Sequence, residues 1–196
     1  MRLILASGSK TRKTLLHRIC GNQFEILPPE IDETPHSLED PKNLSERLSL
    51  EKALKISELN RDAVVIGSDQ VAFCDGKILK KSNNLDDAFQ QISWQVGKQT
   101  TFFTGLVLAR HGGKEIQTST ITSQVFYRDS HFISERLVRN YVNKEKPLNC
   151  AGSTKFESLG ICFIKRVETE DPSALMGLPL IKLCSFLKKW NVRPFA

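Results

Sequence analysis

Residues 100–109 and 115–127 read as two long strands joined through His111-Gly112-Gly113, and this pair constrains the fold more than any other feature. So short a connection makes the two strands a hairpin, hence antiparallel neighbours. A second hairpin is written at Ala63 to Phe73, with Asp75-Gly76 as the turn and Lys77 to Lys80 as the return. Elsewhere strands and helices alternate. Residues 3–6 read as a buried strand, and Arg12 to Cys20 as a helix with Leu15, Leu16 and Ile19 at helical spacing. Phe24 to Leu27 is strand-like and is stopped by Pro28-Pro29. Alternation alone predicts a parallel sheet. With hairpins intruding, the predicted class is α/β with a mixed sheet.

The remaining elements follow from caps and stripes. Asp40-Pro41 is a helix start, an acid at the N-cap and Pro at the first helical position, and the helix runs to about Asn60. Asn84 with Asp86 and Asp87 opens another helix on the stripe Leu85, Phe89, Ile92, Val96. Ser130 to Lys144 reads as a helix on Ile133, Leu137 and Tyr141, ended by Pro147. Cys150 to Gly160 is a loop, Ile161 to Val167 a strand, and Asp171-Pro172 begins a short turn or helix. Pro179 to Trp190 closes the chain as an amphipathic helix on Leu180, Leu183, Cys184 and Leu187. The 196 residues suit one domain, or two lobes sharing a sheet, with no repeat and no linker.

Composition narrows the class of function. No apolar run approaches the roughly 20 residues of a membrane span, and the N-terminus has no signal-peptide pattern. The five cysteines are an odd number without metal-ligand spacing, which predicts a reducing, cytoplasmic setting rather than a zinc or disulfide framework. The net charge of +6 fits either a nucleic-acid surface or a pocket for a polyanionic small molecule. The basic residues are scattered and no nucleic-acid-binding motif is present, so the small anion is favoured and no nucleic-acid partner is expected.

Four stretches can carry chemistry. Gly8-Ser9-Lys10-Thr11 looks like a shortened Walker loop, but the spacing is too short to wrap a triphosphate. A strand, a small-residue turn and a helix N-terminus still make an anion grip. Lys10, Arg12 and Lys13 oppose the helix dipole there, which a bound phosphate would explain as well as a solvated basic turn would. In "VVIGSDQVAF" a buried strand delivers Ser68-Asp69-Gln70, and burying a charge is costly unless it is paired or bound to metal. The strand is therefore expected to open onto a cleft, with Asp69 as general base or metal ligand. "PPEIDETP" offers Glu30, Asp32 and Glu33 as partners of Asp69 in holding a divalent ion. In "CAGSTKFESLG", Phe156 can stack on a base and Glu157 can accept from a guanine-type edge, although a plain surface loop is equally consistent.

Together these pieces resemble the Maf family of nucleoside triphosphate pyrophosphatases. The family's opening Leu-Ala-Ser-x-Ser-Pro-Arg-Arg-x-x-Leu-Leu is similar to the run from Leu5 to Leu16, with Lys10 at the Pro position. Its Asp-Glu-Thr is matched by Asp32-Glu33-Thr34, and its Glu-Lys-Ala by Glu51-Lys52-Ala53. "GSDQV" followed by "DGKILKK" resembles the strand and hairpin that hold the family's catalytic Asp and a phosphate-facing Lys, here Asp69 and Lys81. "CAGSTKFESLG" and "DPSALMGLPL" resemble its later motifs, and the likeness spans nearly the whole chain. Ser-Asp-Gln and the "CAGS" loop are similar to the branch that prefers 7-methyl-GTP, although Thr11 stands where that branch has an aromatic. Ser82 replaces a second family Pro, so looser loops are expected at Lys10 and at Ser82.

The resemblance implies a single Maf-like domain over 1–196, with an elongated mixed sheet flanked by helices and two lobes around a central cleft, as in Maf and ITPase folds. It implies hydrolysis between the α and β phosphates to a monophosphate and pyrophosphate, and a possible homodimer. Asp69 is the expected catalytic residue and, with Glu33, the expected ligand of Mg2+ or Mn2+. Ser7, Arg12, Lys13, Lys52 and Lys81 are expected on the phosphates, and Thr11, Gln70, Phe156 and Glu157 on the base. The rival expectation is a non-catalytic nucleotide- or nucleic-acid-binding protein linked to cell division.

Overall fold

Strand β1 (Arg2–Ala6) is apolar and nearly continuously buried because helices cover both of its faces. The computed structural model describes residues 2–192. Leu3 and Leu5 join Leu15, Leu16 and Ile19 of α1 (Lys10–Cys20) and Leu183, Phe186 and Leu187 of α5 (Leu180–Lys189) in one core cluster. Ile4 and Ala6 point the other way, to Ile56 of α2 (Pro41–Leu59). β3 (Ala63–Cys74) pairs parallel with β1 in the register Leu3↔Val64, Ile4↔Val65, Leu5↔Ile66, so its residues sort onto the same two faces. Each fully buried Leu or Ile contributes about 1.5–3 kcal/mol, which fixes this register firmly.

The other strands are β2 (Glu25–Ile26), β4 (Lys77–Leu79), β5 (Gln99–Arg110), β6 (Glu115–Tyr127) and β7 (Ile164–Glu168). Their hydrogen-bonded order is β2-β1-β3-β5-β6-β7, with β4 on β3. β2 is parallel to β1, whereas β3/β4 and β6/β7 are antiparallel, so the sheet is mixed, with the predicted β3/β4 hairpin in place and β6 lying beside β5. α3 (Leu85–Gln95) and α4 (Glu135–Glu145) complete five α-helices among the described residues. No helix of these is long and apolar enough to cross a membrane.

The described residues form two compact units. The first comprises the chain up to Gln70, Thr104–Ile121 and the residues from Asp171 onward; the second comprises Val71–Phe103 and Thr122–Glu170. Several boundaries differ from those read in the sequence. α1 begins at Lys10, not Arg12, because Ser9 is its N-cap and accepts from the Arg12 N–H at 3.3 Å. α4 begins at Glu135, not Ser130, because Ser134 caps Leu137; Ile133 is buried just before the helix, and Val138, Tyr141 and Val142 form its inner face. β7 begins at Ile164, not Ile161, since Leu159–Phe163 is a 3-10 turn. On α3 the inner face is Ala88, Ile92 and Gln95, and Val96 is the C-cap.

Candidate active site

The alternation of β3 explains why three polar residues sit in the middle of a buried strand. Ser68 and Gln70 share a face with Ile66, and Asp69 shares one with Val65 and Gly67. The strand does not end at this point but runs on to Cys74, and each of the three side chains has partners in the first unit. Ser68, fully buried, donates to the carbonyls of Gly105 (2.7 Å) and Gly177 (3.0 Å). Gln70 Nε2 donates to Ala174 O (2.8 Å), Thr104 Oγ1 (3.1 Å) and Leu175 O (3.2 Å). Its amide nitrogen is therefore committed to the 3-10 turn Pro172–Met176, a structural task that the sequence did not suggest.

Asp69 faces α2. Its backbone N–H donates to Ser49 Oγ at 2.8 Å, and its Oδ1 accepts from Lys52 Nζ at 2.6 Å. Lys52 Nζ also lies 2.6 Å from Glu33 Oε1, so one ammonium bridges the two carboxylates. Lys52 and Asp69 are buried, at 5% and 8% exposure, whereas the Glu33 side chain is about half exposed. A charge pair this dry persists only with good geometry, which Ser49 and the helix supply. The helix reaches the strand closely because Gly67 and Gly105 face it: a Cβ on Gly67 would meet Ala53, and one on Gly105 would meet Ser45.

Arg12 approaches from the opposite face. Ser7, buried at the end of β1, accepts from Ser9 N (3.2 Å) and Arg12 Nη1 (3.3 Å). Arg12 Nε donates to Gly177 O at 2.7 Å, beside the Ser68 hydroxyl. Burial pulls the Arg12 pKa below its usual value, and the charges of Asp69 and Glu33 oppose that shift. Guanidinium stays protonated in proteins, so the shift expresses desolvation of a cation that donates to the neutral oxygens of Gly177 and Ser7. The first turn of α1 carries no acid, leaving its N-terminal field uncompensated. A partly buried cation beside a helix start that carries no acid suits an oxyanion ligand. Thr11 is half-buried on the same turn, whereas Lys10 and Lys13 are exposed.

Gly177 holds this arrangement at φ 94°, ψ 8°, a left-handed conformation that costs an L-residue roughly 1–2 kcal/mol. A Cβ there would also lie 3.4 Å from Arg12 Nε. Gly177→Ala is expected to lower stability by about that amount and to raise the KM for a phosphate-bearing substrate more than it lowers kcat. Steady-state kinetics with a thermal melt check this.

In the first unit, then, Ser7, Arg12, Glu33, Lys52 and Asp69 form one connected neighbourhood. Lys81, Phe156 and Glu157 belong to the second unit. Lys81 is exposed just after β4. Next to it Ser82 is buried and shares a 2.6 Å hydrogen bond with Ser153 Oγ, while Gln91 Nε2 donates to Lys80 O at 2.9 Å. The looser loop expected at Ser82 is therefore pinned by hydroxyl bonds in place of a proline ring. Lys10, in the other such position, is the first residue of α1.

The 150–160 loop is anchored within the second unit as well. Tyr141 OH donates to Ser153 O (3.1 Å) and accepts from Lys155 N (2.8 Å), and Tyr127 OH meets Thr154 Oγ1 at 2.8 Å. Gln95 Nε2 donates to Gly152 O at 2.8 Å. Phe156 packs edge-on to buried Phe102, with centroids 5.3 Å apart and planes at 83°, and Glu157 is exposed.

With this geometry in hand the chain can be placed. It belongs to the Maf-like protein family, whose profile matches residues 2–190. It is 41% identical over 190 residues to the 7-methyl-GTP pyrophosphatase of Colwellia psychrerythraea (strain 34H / ATCC BAA-681), covering 97% of this chain and 93% of that protein. A solved structure titled as a HAM1 protein from Coxiella burnetii is 10% identical, with a TM-score of 0.46 over 65% of this chain and 73% of its own.

Proposed function

We propose that the chain hydrolyses a nucleoside triphosphate between its α and β phosphates, with 7-methyl-GTP the favoured substrate, releasing a monophosphate and pyrophosphate. The observation that carries this reading is the 41% identity over 97% of the chain to a protein named for that substrate and reaction. The site residues support it chemically. Asp69 is a buried carboxylate paired with Lys52, its backbone N–H anchored on Ser49, and is suited to orienting a water and accepting its proton. Arg12 and Lys52 offset charge that builds on phosphate oxygens as water attacks, and Ser7 keeps the guanidinium in place. Lys13, Lys81, Phe156 and Glu157 take the phosphate and base roles that the resemblance gives them, together with Thr11 and Gln70.

A divalent cation, Mg2+ or Mn2+, belongs to this proposal. Among the described residues no group of three or more His, Cys, Asp or Glu is placed to hold a metal. Asp69 and Glu33 nevertheless aim their oxygens at one cation, the Lys52 ammonium, and two carboxylates with substrate phosphates are what a magnesium-type ion uses. The pair therefore fits such an ion, which when bound would neutralise phosphate charge. A reducing intracellular setting and a possible homodimer remain part of the reading.

Pyrophosphate release from a panel of triphosphates, with and without Mg2+ or Mn2+, tests the reaction. No release from any of them, together with salt-sensitive binding to DNA or RNA, would favour the binding-protein alternative. Base choice has its own test. The 7-methylguanine ring is cationic, so Glu157→Gln is expected to lower the 7-methyl-GTP to GTP ratio of kcat/KM by about 10-fold. An unchanged ratio sinks that assignment.

A further inference from the structure

We propose that Arg47, paired with Glu39, is a positioning residue for this reaction: it sets Glu33 against Lys52 by holding residues 32–39 onto α2. The proposal rests on the role given to Glu33 above. Between β2 and α2 the chain has no regular secondary structure, so no backbone ladder fixes the segment that carries Glu33. Arg47 supplies what the ladder does not. Its Nε and Nη2 donate to the two oxygens of Glu39 at 2.7 and 2.9 Å, a fork-to-fork pair. Nη2 also reaches Thr34 O at 3.1 Å, and Nη1 reaches Glu51 at 3.2 and 3.3 Å.

Thr34 is the residue after Glu33, so an anchored Thr34 carbonyl fixes the Thr34–Pro35 peptide, one residue beyond the Cα that bears the Glu33 side chain. On the other side, Asp32 Oδ1 accepts from Thr34 N at 2.9 Å. Glu39 accepts from His36 N at 2.9 Å, which closes the turn around Leu38 at φ 59°. Glu33 is thus bracketed by a side-chain turn and a carbonyl tied to the helix that bears Lys52. This is no loose surface pair. The Arg47 and Glu39 side chains are 18% and 8% exposed, and the Arg47 guanidinium holds the Glu39 carboxyl down at about 2. One planar fork serves Glu39, Thr34 and Glu51 at once, a task a lysine cannot perform.

The test is a double-mutant cycle in the full chain. Arg47→Ala and Glu39→Gln are each made in the native and in the Glu33→Gln background, and pyrophosphate release is followed. Amide hydrogen exchange at Thr34 and His36 is measured without nucleotide or metal. Arg47→Ala is expected to lower kcat about 10–100-fold with a smaller change in KM, and to speed exchange at both amides. In the Glu33→Gln background it should cost less than about twofold more, because the carboxylate it positions is gone. Arg47→Lys should not restore turnover. Equal losses in both backgrounds, or unchanged exchange, overturn the proposal. Full turnover in Glu33→Gln alone is a distinct outcome: it overturns the role of Glu33 and the positioning claim with it. If Arg47→Ala does not fold, Glu39→Gln carries the same cycle, with losses in the same direction and the same criterion.

Discussion

Asp69→Asn is expected to lower turnover by about 10²–10⁴-fold while the chain stays folded. Asn keeps the size and the backbone bond to Ser49 but removes the group that can take a proton from water. The fold should tolerate the change because Lys52 does not lose its last partner: Glu33 remains 2.6 Å from its Nζ. The stability cost should be about 1.5–3 kcal/mol, the worth of one charge-assisted hydrogen bond. Pyrophosphate release and urea unfolding on the same preparation separate the two effects. Near-normal turnover would falsify the catalytic assignment, and loss of folding would make Asp69 a structural charge.

Lys52→Met, by contrast, should have large effects on both stability and turnover. It removes the buried cation and leaves Asp69, 8% exposed, without its ion pair. Breaking a buried pair by removing one partner costs about 3–5 kcal/mol, far more than the pair itself contributes. Turnover should fall too, since the cation proposed to meet the phosphates is gone. The double variant Lys52→Met with Asp69→Leu should recover much of the stability in urea unfolding and none of the turnover. If Lys52→Met unfolds at the native urea concentration, the buried pair is not the one that matters.

Reading the sequence located charges in apolar surroundings, and those stood out for a physical reason. Asp69 follows an unbroken apolar run, and Arg12 opposes the dipole of the helix it begins, so each demanded a partner. The mixed sheet was legible because two short connections force hairpins. What stayed hidden were side chains whose meaning lies in a distant contact. Arg47 looks like one more charge on a helix until Glu39 and the Thr34 carbonyl are beside it. Gln70 gives no sign in the sequence that its amide nitrogen also holds the 172–176 turn. The start of α4 is read too early, at Ser130, because the sequence does not show that the Ser134 oxygen is the one that meets a backbone N–H.

The anchor at Gly177 also sets an order of assembly. Arg12 is made before its anchor, and the carbonyl that orients it lies 165 residues later. The Ser68 hydroxyl waits on the same carbonyl across 109 residues. A nascent chain that has not yet delivered residue 177 can form β1, α1 and most of the sheet, but its arginine has no fixed direction. Because such distant closures form late, Arg12 is held only once residue 177 has been made, and a chain truncated before this turn keeps Asp69 and Lys52 but loses its hold on Arg12.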